Sequence, residues 1–311
     1  MTKKVLIIMD PIESINIKKD TTYQLILSAQ AIGHEVYYLM PGSLAIKHLK
    51  PFADIGKLKI DENMNPHFKI SDIQELDLEG FNYVLMRKDP PVDNNYIYMT
   101  YILDLINKKN TKVINCGFIL RNQNEKLITL NFPNHIPETI LTCKKEDIEE
   151  FKKIHKKIIL KPLNLMGGQS IYLLNEEDKN FNVIIEDITN RGKNYIIAQK
   201  YIDEAEIGDK RIIIINGEVI EEAVIRKPDS SDHRSNIASG GTIEKYNLNS
   251  DEIKICNDVA LFLKKKNILF AGLDMIGDKI TEVNITSPTC IAEINKFHNT
   301  DLGRKFWDKI Q

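Results

Sequence analysis

The sequence is poor in the residues that build soft-metal or redox centres. Its four cysteines, Cys116, Cys143, Cys256 and Cys290, stand far apart and none forms a CxxC pair. That excludes a zinc ribbon and a CxxC redox centre, and it points to reduced thiols rather than a disulfide framework. The seven histidines are scattered, so no His/Cys metal site is visible. No apolar run approaches the roughly 20 residues of a membrane span. The N-terminal apolar stretch, Val5 to Met9, is shorter than a signal-peptide core, so the expected setting is the cytoplasm, with no membrane partner. A formal net charge of −2 over 311 residues excludes nucleic-acid binding carried by bulk charge. Lysine runs such as Lys264-Lys265-Lys266 read as solvated helix face. There is no internal repeat and no low-complexity linker. No G-x-G-x-x-G follows the first apolar run, so the dinucleotide-binding fingerprint is missing.

What is present reads as α/β. VLIIM (5–9) is continuously apolar, the pattern of a strand buried on both faces. Thr21-Thr22-Tyr23-Gln24 offers an S/T-x-x-Q capping box, and the helical spacing of Leu25, Ile26, Ala29 and Ile32 ends at Gly33. EVYYL (35–39) is the next strand, and FNYVLM (81–86), a helix over about 94–107 and KVIN (112–115) repeat the unit more loosely. These segments predict an open parallel-sheet α/β domain over 1–122. Residues 40–80 remain unassigned. The polar loop after the first strand, DPIESINIKKD, sits where ligands bind in such sheets, and a plain surface connection is an equal reading. From about 123 the pattern changes to hairpins. KIILKP (157–162) and SIYLL (170–174) flank a glycine-containing loop, and Asn216-Gly217 turns a long hairpin over 210–228. Helices are expected over about 144–155 and 251–266. The expected class is α/β with α+β character, an α/β domain followed by two antiparallel-rich subdomains, over about 123–200 and 201–311.

The stretch LDMIGDKITEVNIT (273–286) carries the chemistry. Glu282 and Asn284 are two apart and share a strand face. A three-residue loop, Gly277-Asp278-Lys279, sets Asp274 opposite Glu282 about 5 Å away, whereas a two-residue loop turns Asp274 to the other face. Two facing carboxylates on a largely buried surface call for a cation. Three oxygen donors without His or Cys favour a hard ion, Mg²⁺ or Mn²⁺; the alternative is a polar face open to solvent. Mg²⁺ held by few protein ligands completes its shell with phosphates, which directs attention to phosphate-binding groups. The Met166-Gly167-Gly168-Gln169-Ser170 loop could cover phosphates with backbone N–H groups, or be a plain hairpin tip. Lys161 ends an apolar strand where an ammonium needs an anion; Lys126, at the start of an apolar helical segment, is a second candidate, with a plain surface lysine as the alternative. Arg211, Arg226 and Arg234 lie on or after the second hairpin, with forks that match carboxylate and phosphate oxygens. For Arg211, a cross-strand pair with Glu222 is an equal reading, since a two-residue Asn216-Gly217 turn sets them opposite one another.

MDPIESINIKKDTT, VLMRKDPPVDNNYIYMTYIL, LRNQNEKL, IILKPLNLMGGQSI, GDKRIIIINGE, HRSNIASGG and GLDMIGDKITEVNITSPTCIAEI resemble, in order and spacing, the bacterial glutathione synthetase family of ATP-grasp ligases. The resemblance covers nearly the whole chain. It implies that Lys126 and Lys161 contact ATP phosphates under a mobile loop from Gly167 to Ser170. Gln199, Lys200, Tyr201 and Ile202 would hold the adenine, with Asp209, Arg211 and Asn236 near the nucleotide. Asp274, Glu282 and Asn284 would bind two Mg²⁺ ions. Arg226 would stabilise the transferring phosphoryl group. Arg234, the turn through Gly240, and the loop of Ser287 and Thr289 would hold substrate carboxylates. The loops at 10–20 and 87–91, with Asn16, Arg87 and Asp89, would grip γ-glutamylcysteine. Gln169 and Ser239 depart from the smaller residues of the family pattern, which bears on loop kinetics or substrate preference.

The implied reaction joins glycine to γ-glutamylcysteine through an acyl phosphate, with ATP consumed and no side-chain nucleophile, so Cys290 reads as a buried thiol. Another ATP-grasp ligase, adding glutamate or D-alanine, and a non-catalytic ATP-binding module are the alternatives. The resemblance further implies a homotetramer or dimer, and no nucleic-acid partner.

Overall fold

The computed structural model describes residues 2–107, 109–228 and 241–310. The first sheet is built from β1 (Lys4–Ile8), β2 (Glu35–Leu39), β3 (Ala45–Lys47), β4 (Lys50–Ile60), β5 (Phe68–Ile70), β6 (Gln74–Asp77), β7 (Tyr83–Met86) and β8 (Lys112–Ile114). Its path runs β3-β4-β2-β1-β7-β8, with β5 and β6 both paired to β4. The central strands are parallel, and β4 joins β2 antiparallel. Residues 40–80, unassigned from sequence, therefore form the antiparallel edge. The run in β1 is apolar throughout because Val5 and Ile7 enter one core while Leu6 and Ile8 enter the core on the opposite face. Helices α1 (Thr21–Ala31), α2 (Asn94–Asp104) and α3 (Gly117–Asn122) accompany the sheet. The expected capping box at Thr21 does not form. Asp20 is the N-cap and accepts from Tyr23 N at 2.7 Å, because its carboxylate out-competes a hydroxyl for the free helix N–H. Thr21 instead accepts from Ile291 N at 3.1 Å.

A second sheet of β9 (Thr139–Thr142), β10 (Ile158–Pro162), β11 (Tyr172–Leu174) and β12 (Ile196–Lys200) is antiparallel, in the order β11-β10-β12-β9. It packs with α4 (Lys145–His155) and α5 (Phe181–Ile188) around a core of its own, from Ile148 and Leu160 to Ile196. The third sheet orders β13 (Asp209–Ile215), β14 (Glu218–Lys227), β15 (Thr242–Asn247), β16 (Phe270–Ile276) and β17 (Lys279–Asn284) as β15-β14-β13-β16-β17. Helix α6 (Ser250–Lys265) covers one face, where Ile212, Ile214, Leu273 and Met275 point. On the other face Ile213 and Ile215 share one core with Val5, Tyr23 and the closing helices α7 (Ile291–His298) and α8 (Leu302–Ile310). Trp307, the one tryptophan, is fully buried at this joint and donates to Leu25 O at 2.8 Å. Among the described residues no helix is long and apolar enough to cross a membrane.

Asn115 ties the first and third sheets together. Its amide donates to Phe270 O and Ile285 O, both at 2.7 Å, and accepts from Leu269 N and Phe270 N at 2.9 and 3.1 Å. All four partners belong to the β16–β17 region, and Asn115 is itself buried. Asn115→Ala leaves those groups without partners and is expected to destabilise the protein by about 3 kcal/mol or more. Urea unfolding followed by circular dichroism checks this; a change below about 1 kcal/mol would mean that water replaces the amide.

Candidate functional site

The hairpin of β16 and β17 holds the proposed metal carboxylates, and its register differs from the expected one in an informative way. The loop has two residues, Gly277 and Asp278, because Ile276 pairs with Lys279 and Met275 with Ile280. A regular two-residue hairpin would turn Asp274 to the other face. The register instead shifts between Met275 and Asp274, leaving Thr281 as an extra residue, and Asp274 stands opposite Glu282 after all. The bulge is held by Thr281 Oγ1, which donates to Asp274 O at 3.3 Å. Leu273, Met275, Val283 and Ile285 then face the α6 core, while Asp274, Glu282 and Asn284 face the other way.

Asp274 is almost wholly buried and already partnered. Arg211 Nε and Nη2 meet its two oxygens at 2.5 and 3.0 Å, Arg226 Nη2 stands 3.0 Å from Oδ2, and Asn284 Nδ2 lies 3.2 Å away. Burial pushes its pKa up, but the two guanidiniums outweigh burial and hold the carboxyl below its ordinary value. Gly272 makes room for Arg211, since a Cβ there would stand 3.2 Å from Nη1. The alternative pairing of Arg211 with Glu222 does not occur. A bulge between Arg211 and Ile213 slides Arg211 opposite Val224, and Glu222 binds Lys305 Nζ at 2.9 Å.

Glu282 is more open, with 24% of its side chain exposed, and pairs with Lys126 Nζ at 3.0 Å. Lys126 also donates to Leu165 O at 2.8 Å. Sequence reasoning missed Glu125, for which no spacing signal exists. It receives Ile285 N, Thr286 N and Thr286 Oγ1 at 2.7, 2.8 and 2.9 Å, pinning the end of β17. Burial and then the neighbouring Glu282 push its pKa up. Lys161, on β10, makes no ion pair or hydrogen bond through Nζ among the described residues. Burial, with repulsion from Lys126, pulls its pKa down although Glu282 opposes this. An anion is what this ammonium lacks.

Asp209 pairs with Arg226 through one oxygen, and its other oxygen is buried without a partner. Burial, reinforced by Asp274, pushes its pKa up to about 6 against the pull of Arg226. The folded protein thus holds this proton up to about pH 6, whereas the unfolded chain releases it near 3.8. Stability from this group is full below the unfolded value and is lost as pH rises through about 6. Carboxyl-carbon NMR of the ligand-free protein is expected to show Asp209 titrating near there, and Asp209→Asn to flatten that loss; a midpoint near 4 refutes the assignment.

Two clefts meet here. The first runs between the second and third sheets, and its walls include Lys126, Lys161, Gly167, Gly168, Gln169, Gln199, Lys200, Tyr201, Ile202, Asp209, Asp274 and Glu282. Apolar contacts from Ile159, Leu165, Ile171 and Ile276 suit a flat ring at one end, with charges at the other. Gly167, Gly168 and Ser170 have φ of +63°, +79° and +52°, so the loop relies on its glycines; Ser170 falls outside the lining. The second cleft opens from Gly167 and Glu282 onto Arg211, Arg226, Asn284, Ser287 and Thr289. Cys290 lies buried in its wall. Asn16, Arg87 and Asp89 line neither cleft. Arg87 is buried and donates to Thr22 Oγ1 and Pro288 O, both at 3.0 Å, so it braces the 287–289 loop. Asn16 shapes the 10–20 loop by accepting from Lys18 N at 3.1 Å, and Asp89 N donates to Asp10 at 3.0 Å. Arg234, Asn236, Ser239 and Gly240 lie outside the described residues. The cation that the facing carboxylates call for is supplied here by the protein itself, Arg211 and Arg226 on Asp274 and Lys126 on Glu282; the half-open Glu282 carboxylate and the Asn284 amide oxygen are the donors that fit a hard divalent ion arriving with a polyphosphate.

The model of the prokaryotic glutathione synthetase N-terminal domain matches residues 3–121, and that of the prokaryotic glutathione synthetase ATP-grasp domain matches 125–299. The chain is 43% identical to a glutathione synthetase of Vibrio vulnificus (strain YJ016) over all 311 residues, which is 98% of that protein. It is 41% identical to one of Escherichia coli O157:H7 over 99% of this chain and 98% of the relative. Among solved structures, the D-cycloserine synthetase DcsG superposes with a TM-score of 0.69 at 11% identity, covering 98% of each chain. The ATP-grasp ligase PsnB, complexed with a minimal precursor, Mg and ADP, superposes with a TM-score of 0.60 at 15% identity, covering 98% of this chain and 96% of its own. Those two likenesses carry the fold alone. By sequence matched along its whole length, the chain belongs to the prokaryotic glutathione synthetase family.

Proposed function

We propose that this ATP-dependent carbon–nitrogen ligase joins glycine to γ-L-glutamyl-L-cysteine, giving glutathione, ADP and phosphate. The observation that carries the reading is the meeting of the two clefts at Gly167 and Glu282, which brings Lys126 and Lys161 on the polyphosphate side next to Arg226 on the carboxylate side. Residues 1–122 supply the loops at 10–20 and 87–91, about 123–200 the lid, and 201–311 the charged floor. Gln199 to Ile202 seat the adenine, and the Gly167–Ser170 loop shields the phosphates from water, which a hydrolysable acyl phosphate requires.

The cysteinyl carboxylate oxygen attacks the γ-phosphorus, a new oxygen–phosphorus bond forms, and the bond to the β-phosphate oxygen breaks to release ADP. The amine of glycine then adds to the acyl carbon and gives up a proton to solvent, and the tetrahedral adduct expels inorganic phosphate with the electrons of the carbon–oxygen bond. Phosphoryl transfer asks for positioning and charge neutralisation rather than a protein nucleophile. Lys161 and Lys126 neutralise phosphate oxygens, and Arg226, fixed by Asp209 and Asp274, faces the transferring group. Asp274, Glu282 and Asn284 would hold divalent ions, Mg²⁺ or Mn²⁺, which when bound neutralise charge on the β- and γ-phosphates. Free thiols suit a cytoplasmic setting. ADP release coupled to a dye or NADH readout, with γ-glutamylcysteine and glycine and with or without Mg²⁺, tests the reading. Release that is greater with another acid–amine pair overturns it.

A further inference from the structure

The turn between β16 and β17 overhangs the sheet that carries it. Pairing of β13 with β16 ends at Lys210 opposite Met275, so Ile276 and the turn residues Gly277 and Asp278 project beyond it. Yet this tip walls the first cleft, where Ile276 stands with Ile202 and Ala205. Lys210 holds the tip from the α6 side. Its buried ammonium donates to Gly277 O at 2.7 Å and pairs with the buried carboxylate of Glu252. Glu252 is fixed in turn by the Tyr246 hydroxyl and by Asn249 N, both at 2.9 Å, the second as half of the α6 capping box. The turn also packs on the segment Asp203–Glu206, since a Cβ on Gly277 would stand 3.3 Å from the Glu204 carboxyl carbon. Past the turn, Ile280 N donates to His135 O at 2.7 Å. Among the described residues, Lys210 is the side chain outside the hairpin that hydrogen-bonds the turn backbone itself. A buried ion pair adds little to stability, because apolar side chains of similar volume commonly serve as well. Its neighbours on this face, Ile212 and Met275, are apolar. The pair is therefore better explained by where it puts the turn.

We propose that Lys210 is a positioning residue for the nucleotide cleft. Glu252 fixes its ammonium, and the ammonium fixes the β16–β17 turn through the Gly277 carbonyl. That sets Ile276 against Ile202 and Ala205 and keeps the apolar end of the cleft in shape for a flat ring. The assignment rests on the ATP cleft proposed above. Lys210 stands directly opposite Met275 and shares its face of the sheet, whereas Asp274 and Glu282 occupy the other face. Lys210 therefore touches neither the phosphate side nor the metal donors, and it acts through the turn alone. Its two bonds carry separable effects. The pair with Glu252 keeps a buried charge from standing alone, which bears on stability. The bond to Gly277 O sets the geometry of the cleft wall, which bears on nucleotide affinity.

Calorimetric titration with ATP and Mg²⁺, without any acid or amine substrate, tests this alongside thermal melts and KM values. Lys210→Met is expected to weaken ATP binding about 10-fold, the order of one lost hydrogen bond to a charged group. Its KM for glycine should stay unchanged, and it should melt lower because Glu252 is left buried and unpaired. Glu252→Gln keeps the capping box and the bond to Gly277 O, so it should melt lower yet bind ATP like the wild type. Lys210→Met with Glu252→Gln leaves no buried charge in the cluster. This double variant is expected to regain most of the lost melting temperature while its ATP affinity stays about 10-fold weak. A double variant that recovers wild-type ATP affinity together with stability overturns the proposal. So does a Lys210→Met variant that melts lower with its ATP affinity intact. Should Lys210→Met fail to fold, Glu252→Gln and the double variant decide the matter. A wild type that binds no ATP overturns the nucleotide cleft, and the role of Lys210 with it, whereas affinity indifferent to Lys210 overturns the role alone.

Discussion

Replacing Glu282 with glutamine is expected to lower ligase turnover by about 100- to 1,000-fold, the loss seen when one preorganised group facing developing charge is removed. The melting temperature should barely move. Glu282 is the most open member of the carboxylate set, and its partner Lys126 keeps the bond to Leu165 O. Asp274 makes a poorer probe. It is buried between Arg211 and Arg226, so removing its charge strands two guanidiniums and costs about 3–5 kcal/mol of stability before chemistry is considered. Glutamine at 282 keeps the size of the side chain and one oxygen, so a lost rate reports charge. Rates measured across a Mg²⁺ series alongside a thermal melt make the check, and turnover at the wild-type level would remove Glu282 from the metal site.

Lys161→Met is expected to move binding and stability in opposite directions. In the free protein the ammonium sits in the cleft wall without a partner and with a pKa pulled down by burial, so an apolar side chain of similar length should raise stability slightly. In its proposed role the same ammonium would form a charge-assisted hydrogen bond to an ATP phosphate, worth roughly 1.5–3 kcal/mol. The variant should therefore bind ATP about 10- to 100-fold more weakly. Thermal shift with and without ATP separates the two effects. A variant that melts lower when free, yet gains as much from ATP as the wild type, contradicts both halves.

Much of this was legible in the sequence, for identifiable reasons. The strands with continuous or alternating apolar runs, VLIIM and IILKP among them, appear where their patterns place them because burial on two faces or one dictates the pattern. The grouping of Asp274 with Glu282 was legible as well, although it arises from a two-residue turn plus a bulge at Thr281 rather than a three-residue loop. Periodicity carries no mark of a bulge, and the second one, after Arg211, misled the pairing with Glu222 in the same way. Between 45 and 77 the strands β3, β5 and β6 have only three or four residues and are defined by pairing with β4, whose own 11-residue alternating pattern was legible but went unread. Glu125 looks like an ordinary acid in a loop. Its environment comes from the end of β17, a chain segment far away in sequence.

The lone tryptophan gives the protein an optical gauge. Trp307 packs against Phe306, Tyr83 and His34 at the joint of the first and third sheets, and the lid core contains none of these residues. Its emission should therefore be blue, and the lid movement proposed above should leave it constant. It should redden only when the joint itself comes apart, so fluorescence would follow the loss of the scaffold and remain silent about the proposed lid.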